Sequence, residues 1–330
     1  MAGPGFVEPM KARLSAKMPE NGKWIFELKL DGIRAVAVKE GKAVRLYSRL
    51  PRELTNDYPE IVDALKRLPA KTAVLDGEIA ALDPKGFTSF QLLQNRRRAS
   101  GPVNILYYVF DLLHLNGCDL KRIPLIQRRA LLEALMKKTS VPLRVTAALE
   151  RSPSQIWQEV SRLGLEGVIA KQTDSLYEPG RRSGAWIKVK TQAEQEFVIG
   201  GCTPPQGTRK HFGSILVGYY RGRDLLFASR VGSGFDQGTL ESLHAQFLRI
   251  RAVQCPFSNL PSKHADRFGQ GVTAAEMARC LWLRPKLVCQ VRFQEWTADG
   301  SLRQPVFLGL RKDKAPAEVV RETGAEEANP

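Results

Sequence analysis

Apolar and polar positions alternate with a period of two in a first run opening at Trp24-Ile25-Phe26 and in a second ending at Tyr47-Ser48-Arg49. The runs flank Glu40-Gly41-Lys42, which predicts two strands joined by a hairpin turn. Asp31-Gly32 interrupts the first run as a turn. Alternation puts Glu27 and Lys29 on one face and Phe26, Leu28 and Leu30 on the other. Pro59 to Leu68 shows the helical spacing of Ile61, Val62, Leu65 and Leu68. Thr72 to Leu82 reads as a strand with Val74, Asp76 and Glu78 on one face; an exposed edge strand is the alternative for the segment taken alone. Two carboxylates on one face repel unless a basic group or cation lies between them. Ser89 to Ser100 is helix-like and ends in Arg96-Arg97-Arg98. Ile105 to Leu113 is apolar enough for a central buried strand, within which Asp111 needs a partner. Ile126 to Lys137 and Ser154 to Leu163 are amphipathic helices, with Ser152 or Ser154 as N-cap of the second. Glu166 to Lys171 forms a short strand, and Trp186 to Lys190 another with Lys188 and Lys190 on one face. Before Trp24 the chain is an extended lead-in, broken by Pro9 and Pro19.

At Thr191 to Glu196 the pattern turns into a polar connector. Beyond it lie strands at Phe197 to Cys202, Ser214 to Tyr220, Leu225 to Val231, Leu287 to Trp296 and Leu302 to Phe307, with a helix at Gly238 to Ile250. Five short strands with glycine turns and one helix predict an OB-fold β-barrel. Ala315 to Pro330, rich in Ala, Glu and Pro, reads as a frayed tail. The expected organisation is therefore a domain at 1–192, a barrel at 193–314 and a tail at 315–330.

Composition narrows the partners. Fifty Lys and Arg against 34 Asp and Glu leave a net charge of +16 in 330 residues, which draws the chain toward polyanions. A hydrophobic share of 43% argues for a folded body beneath that charge. Neither a transmembrane-length apolar run nor an apolar signal core is present, so a cytosolic protein with no membrane partner is expected. The five cysteines are widely spaced and form no CxxC pair, which suits reduced thiols.

The first domain offers an amine at Lys29, carboxylates at Asp76, Glu78 and Glu166, an aromatic at Phe110 and a cationic pair at Lys188 and Lys190. Oxygen ligands without His or Cys clusters suit Mg²⁺ or Mn²⁺. Together these groups are what nucleotide chemistry needs.

With these residues in view, the chain resembles the ATP-dependent polynucleotide ligases of the covalent nucleotidyltransferase superfamily. Lys29-Leu-Asp31-Gly32-Ile-Arg34 matches its KxDGxR motif. Asp76-Gly77-Glu78, Tyr108-Val-Phe110-Asp111, Glu166 to Lys171, Trp186 to Lys190 and Arg311-Lys-Asp313-Lys314 match the later motifs in order. The stretches Phe87 to Gln94, Tyr177 to Ser183, Phe212 to Tyr220 and Leu302 to Arg311 narrow the resemblance to the ligase module of bacterial ligase D, the enzyme of Ku-dependent end joining. The implied fold class is α+β: an ATP-grasp-like nucleotidyltransferase domain with antiparallel sheets, followed by the OB-fold barrel.

The resemblance implies three phosphoryl transfers. Lys29 attacks the α-phosphate of ATP, AMP passes to the 5′-phosphate of a nick, and the 3′-hydroxyl then displaces AMP. An unperturbed lysine has a pKa of about 10.4, so near neutral pH about one in a thousand is a free amine. Lys188, Lys190, Arg34 and a metal ion are expected to lower that pKa against the opposing Asp31 and Glu27. By resemblance, Glu27 accepts from the adenine amino group and Phe110 stacks on the base. Arg34 and Glu78 hold the ribose region, while Arg49 and Arg182 reach phosphates. Glu78 and Glu166 are the implied metal ligands, and Lys188 and Lys190 grip the α-phosphate. Asp31, Asp76 and Asp111 support the site. Arg311 and Lys314 close over the pyrophosphate as the barrel swings about the connector.

Basic stretches at Gln206 to His211, Arg96 to Arg98 and Arg221 to Arg223 are candidates for contacts to the backbone of nicked or broken double-stranded DNA. With Lys29 so near the start, no preceding helical DNA-binding domain is expected. A Ku-type partner, a monomeric state and a bacterial, nucleoid-associated location follow by resemblance, and the chain is expected to be a stand-alone ligase or a separated module. Three rivals stand beside this reading: an RNA-capping guanylyltransferase, an RNA ligase, and a non-catalytic nucleic-acid-binding module.

Overall fold

The structure is a computed structural model. It describes residues 4–96, 101–139, 141–205, 207–261, 271–297 and 299–322. Arg97, Arg98 and Gln206 of the basic stretches lie outside the described residues, as does 262–270 within the segment Ser258 to Arg279. The described residues divide into two compact units, 4–191 and Gln192–Glu322.

In chain order the first unit contains β1 (Arg13–Leu14), β2 (Trp24–Leu28), β3 (Ile33–Glu40), β4 (Ala43–Ser48), α1 (Pro59–Lys66), β5 (Thr72–Leu82) and α2 (Phe90–Asn95). There follow β6 (Asn104–Leu115), β7 (Cys118–Asp119), α3 (Leu125–Met136), β8 (Leu143–Val145), α4 (Pro153–Arg162), β9 (Gly167–Gln172) and β10 (Trp186–Lys190). They build two sheets. One has the order β1-β10-β9-β2; the other runs β4-β3-β5-β6-β7, with β8 on β6.

Alternation sorts the side chains of the larger sheet. Ala35, Ala37, Leu75 and Ile79 pack outward against Ile61 and Leu65 of α1, Leu93 of α2 and Leu132 of α3. Val36, Val38, Val74, Phe110 and Leu113 face inward and meet Trp186 of β10, Tyr177 and Met10. On the smaller sheet Phe26, Leu28 and Val168 turn to Ile156 and Val160 of α4. Glu27 is thereby left for the inner cleft. Ser152 caps α4 through a reciprocal capping box with Gln155.

Strand β5 is not at an edge. It is paired on both sides, with β3 and β6, and Asp76 on it is fully buried. The basic group expected between its carboxylates is Arg34, which sits opposite Glu78 in the β3·β5 ladder and ion-pairs with Asp76.

The second unit contains β11 (Ala193–Cys202), β12 (Ile215–Arg221), β13 (Asp224–Val231), α5 (Gln237–Arg249), α6 (Ala274–Met277), β14 (Leu281–Phe293) and β15 (Val306–Leu310). Its sheet has the order β13-β12-β11-β14-β15, and a bridge between Ser233 and Val306 brings its two ends together as a barrel. Phe197, Ile199, Val217, Phe247, Val291 and Phe307 share its core.

Three expectations change here. The polar stretch 193–196 is strand rather than connector, because β14 supplies a full ladder to it from Phe293 to Gln290. The last strand lies at Val306–Leu310 instead of Leu302 to Phe307; Gln304 takes a positive φ of 49° and breaks the extended run before it. Residues 315–322 are not a frayed tail. Val319 is fully buried, its carbonyl accepts from the Tyr220 amide at 2.7 Å, and the Glu322 amide donates to Gln195 Oε1 at 2.9 Å. One apolar residue and an open strand edge anchor a stretch whose composition reads as tail. Among the described residues no helix is long and apolar enough to cross a membrane.

Candidate active site

Lys29 follows β2 directly, and its amide donates to Gly167 O at 2.9 Å, which seats the turn against the start of β9. The Lys29 ammonium donates to Glu166 Oε1. The KxDGxR turn is then pinned at both ends. The Asp31 amide donates to Thr88 Oγ1 at 3.1 Å, and the Asp31 carboxylate accepts from the Phe90 amide at 2.9 Å, in the first turn of α2. Asp31 therefore supports the site by holding its loop to a helix N-terminus. Gly32 is required by contact: a Cβ there would lie 2.3 Å from the Ile79 carbonyl oxygen. Gly167 is required in the same way, at 2.1 Å from Val189 O.

The charge balance around Lys29 differs from the expectation. Burial works to lower its pKa, but Glu166, Glu78 and Asp31 outweigh burial and hold it above the ordinary lysine range. Among the protein's own groups the carboxylates, Glu166 first, set the direction of the shift, not the neighbouring cations expected to lower it.

Glu27 is buried, and both its oxygens engage cations: Arg129 Nη1 donates to Oε1, and Lys171 Nζ donates to Oε2 at 2.7 Å. A carboxylate has about four acceptor sites, so two remain for a further donor. Arg129 also donates to Thr146 O at 2.6 Å and to Glu133 at 3.0 Å. Lys171 Nζ stands 4.2 Å from the Phe110 ring centroid and 4.5 Å from that of Trp186. The Arg34 guanidinium lies 4.6 Å from the same Phe110 centroid. Phe110 is thus an aromatic platform already used by two cations.

Arg34 is bidentate to Asp76, with both hydrogen bonds at 2.6 Å, and Tyr177 Oη donates to Asp76 Oδ2 at 2.6 Å. Asp111 pairs with Arg128 through two hydrogen bonds of 2.8 Å, and both side chains are completely buried. On β10, Trp186, Lys188 and Lys190 alternate onto one face, and Trp186 packs edge-on to Phe110, so both lysines share the cleft side of the sheet.

The structure therefore brings Glu27, Lys29, Arg34, Asp76, Glu78, Phe110, Glu166, Lys188 and Lys190 to one cleft. Arg182 is exposed on the loop 173–185, and Arg49 is half-buried just past β4. Arg311 and Lys314 belong to the second unit, where Arg311 is bidentate to Asp313 at 2.9 and 2.8 Å and Lys314 pairs with Glu196 at 3.1 Å.

Several cleft residues escaped the sequence reading. Arg128 and Arg129 occupy the apolar stripe of α3 with Leu125, Leu132 and Met136, and a charge at helical spacing on a buried stripe is the signal that marks them. Lys171 stood inside a matched motif without a role. Tyr177 likewise opened the matched stretch Tyr177 to Ser183 without a role. Among the described residues, Glu166 Oε2, Thr146 Oγ1 and Trp186 Nε1 are buried polar atoms lacking a hydrogen-bond partner. Each belongs to a residue lining or bracing this cleft and is open to a further polar partner.

The comparisons with known proteins agree with this geometry. Residues 6–190 match the ATP dependent DNA ligase domain, and residues 208–314 match the ATP dependent DNA ligase C terminal region. The multifunctional non-homologous end joining protein LigD of Pseudomonas aeruginosa is 39% identical over 98% of this chain and 37% of its own length. The LigD DNA repair protein of Mycobacterium tuberculosis is 39% identical over 91% of this chain and 38% of its own. The chain thus spans about two-fifths of the length of these relatives. Among solved structures, a mycobacterial DNA ligase D complexed with ATP and MES has a TM-score of 0.68 at 36% identity, covering 96% of this chain and 98% of that one. The ligase domain of LigD from M. tuberculosis has a TM-score of 0.50 at 35% identity, with the same coverage. In fold, an α+β nucleotidyltransferase domain with a C-terminal OB-fold barrel, and in sequence along most of its length, the chain belongs to the ATP-dependent DNA ligase family.

Proposed function

We propose that this chain seals nicks or joined ends in double-stranded DNA through a lysine-bound AMP, with ATP as the adenylyl donor. The observation that carries this is Lys29 held against Glu166 at the mouth of a cleft that also gathers Glu27, Arg34, Phe110, Lys188 and Lys190.

In the first step the Lys29 amine forms a bond to the α-phosphorus as the bond to pyrophosphate breaks. The ammonium must first give up a proton, and Glu166 Oε1 is the acceptor already in contact with it. Lys188 and Lys190 on the cleft face counter the charge that builds on the α-phosphate. Glu27, its carboxylate oriented by Arg129 and Lys171, accepts from the adenine amino group; guanine presents a carbonyl there and is disfavoured. Stacking on Phe110 displaces one of the cations now over its ring, and Arg34 and Glu78 hold the ribose region. Arg49 and Arg182 reach phosphates, and Arg311 and Lys314, once released from Asp313 and Glu196, close over the pyrophosphate.

The donor set fits a divalent cation. Glu166 Oε2 is buried without a partner, Glu78 acts on the same lysine, and Mg²⁺ commonly takes one or two carboxylates together with substrate phosphates. Glu78 and Glu166 would hold Mg²⁺ or Mn²⁺, which would supply positive charge opposing protonation of Lys29.

A role in end joining is supported by the end-joining relatives; a Ku-type protein delivering the ends to a monomeric, cytoplasmic and nucleoid-associated ligase completes the proposal. Incubation with α-labelled ATP or GTP and Mg²⁺, followed by a denaturing gel and then by a chase with nicked DNA or RNA, tests the reading. Label from ATP alone, lost in Lys29→Ala and released as AMP on sealing nicked DNA, is the expected result. Label from GTP, or none, overturns it.

A further inference from the structure

The N-terminal lead-in is built into the cleft. Met10 is completely buried in the cluster that contains Phe110, Tyr177 and Trp186. Its backbone closes a ring of hydrogen bonds. The Met10 amide donates to Tyr177 Oη at 2.9 Å, Tyr177 Oη donates to Asp76 Oδ2 at 2.6 Å, Arg34 Nη2 donates to the same Oδ2 at 2.6 Å, and Arg34 Nη2 also donates to Met10 O at 3.3 Å. Four groups from the lead-in, β3, β5 and the loop 173–185 thus fix one another.

We propose that Tyr177 is a positioning residue for Arg34, acting through Asp76, with the Met10 backbone closing the ring that sets the guanidinium over Phe110. The proposal rests on the reading of Arg34 as a nucleotide contact.

Two observations separate this from a merely structural role. The lead-in is attached without the phenol: Lys11 N to Arg181 O at 2.8 Å, Ser15 N to Lys188 O at 3.0 Å, Gly180 N to Glu8 O at 3.2 Å, and the β1·β10 pairing. The tyrosine hydroxyl is therefore not needed to hold the lead-in to the loop. Its donor hydrogen instead goes to the carboxylate that holds Arg34, and burial followed by the Asp76 charge keeps the phenol protonated well above its usual range. Without the hydroxyl, Asp76 Oδ2 keeps a single donor, and the Met10 amide becomes a buried donor with nothing to bond. The guanidinium then has more than one arrangement on its carboxylate, and its place over Phe110 is no longer unique.

Tyr177→Phe keeps the ring packed edge-on against Trp186, at 5.8 Å between centroids, and removes only the hydroxyl. The test measures kcat and KM for ATP in the adenylylation step for the native chain, Tyr177→Phe, Arg34→Lys and the double variant. A fall of about tenfold in kcat/KM, carried by KM and absent when Tyr177→Phe is added to Arg34→Lys, is expected. Multiplying effects in the double variant, or an unchanged KM in Tyr177→Phe, overturn the positioning role while the native chain still labels. A native chain that takes no label overturns the functional reading, and this inference with it. Should Tyr177→Phe not fold, 3-fluorotyrosine at position 177 keeps the shape and strengthens the donor; its KM for ATP should shift in the native background alone, and no shift overturns the proposal.

Discussion

Lys29 is the residue on which the proposed chemistry turns, and its surroundings favour the protonated form. Glu166, 137 positions away in sequence, contacts its ammonium, and Glu78 and Asp31 add to a negative field that outweighs burial. The raised pKa sets the direction of the pH profile. Protonated lysine is the inactive form, so the neutral fraction grows about tenfold per pH unit while pH stays below the raised pKa. Initial rates of adenylylation should therefore climb between pH 7 and 9 until another step limits, as read by label incorporation at each pH; a flat profile would show an amine already neutral in the ATP-bound state.

At the scale of elements, α3 acts as a clamp. Its buried stripe carries two arginines side by side: Arg128 fixes Asp111 on β6 and also donates to Ile123 O and Ser175 O, while Arg129 fixes Glu27 on β2. One helix thus ties together a strand from each sheet. Breaking such a pair on one side leaves a buried charge without its partner. Arg128→Met should cost about 3–5 kcal/mol in chemical denaturation, whereas Arg128→Met combined with Asp111→Leu should recover most of that loss. A single variant as stable as the native chain would show that water reaches Asp111. The sequence marked Asp111 as needing a partner, because a carboxylate in an apolar strand is a local anomaly. It did not mark Arg128, because an arginine in a helix with many charges looks solvated until the helix's buried face is known.

For the molecule as a whole, the net charge of +16 sets the terms on which it meets DNA. Phosphate contacts release counterions, so affinity for a nicked duplex should fall at least about tenfold between 50 and 200 mM salt, with a linear log–log slope. Changing the bases around the nick should leave that slope unaltered, since backbone contacts carry no sequence information. Fluorescence anisotropy across a salt series measures both, and a salt-independent affinity would contradict a backbone-dominated mode.

Periods of two and of 3.6 are local, and they placed Glu27, Asp76, Lys188 and Lys190 on their strand faces and α1, α3 and α4 within a residue or two of their observed bounds. Ordered motifs marked Glu27, Lys29, Arg34, Phe110 and Glu166 without coordinates, but assigned no role to Arg128, Arg129, Lys171 or Tyr177. What local pattern could not decide is which groups meet. Whether β5 is edge or centre depends on β6, and whether residues 193–196 are connector or strand depends on β14 nearly a hundred positions later. The protonation of Lys29, the arginine clamps of α3 and the ring through Met10 and Tyr177 all depend on desolvation and on charges a few ångströms apart in space but far apart in sequence. Such interactions act through distance in the folded chain, and only the tertiary structure fixes that distance.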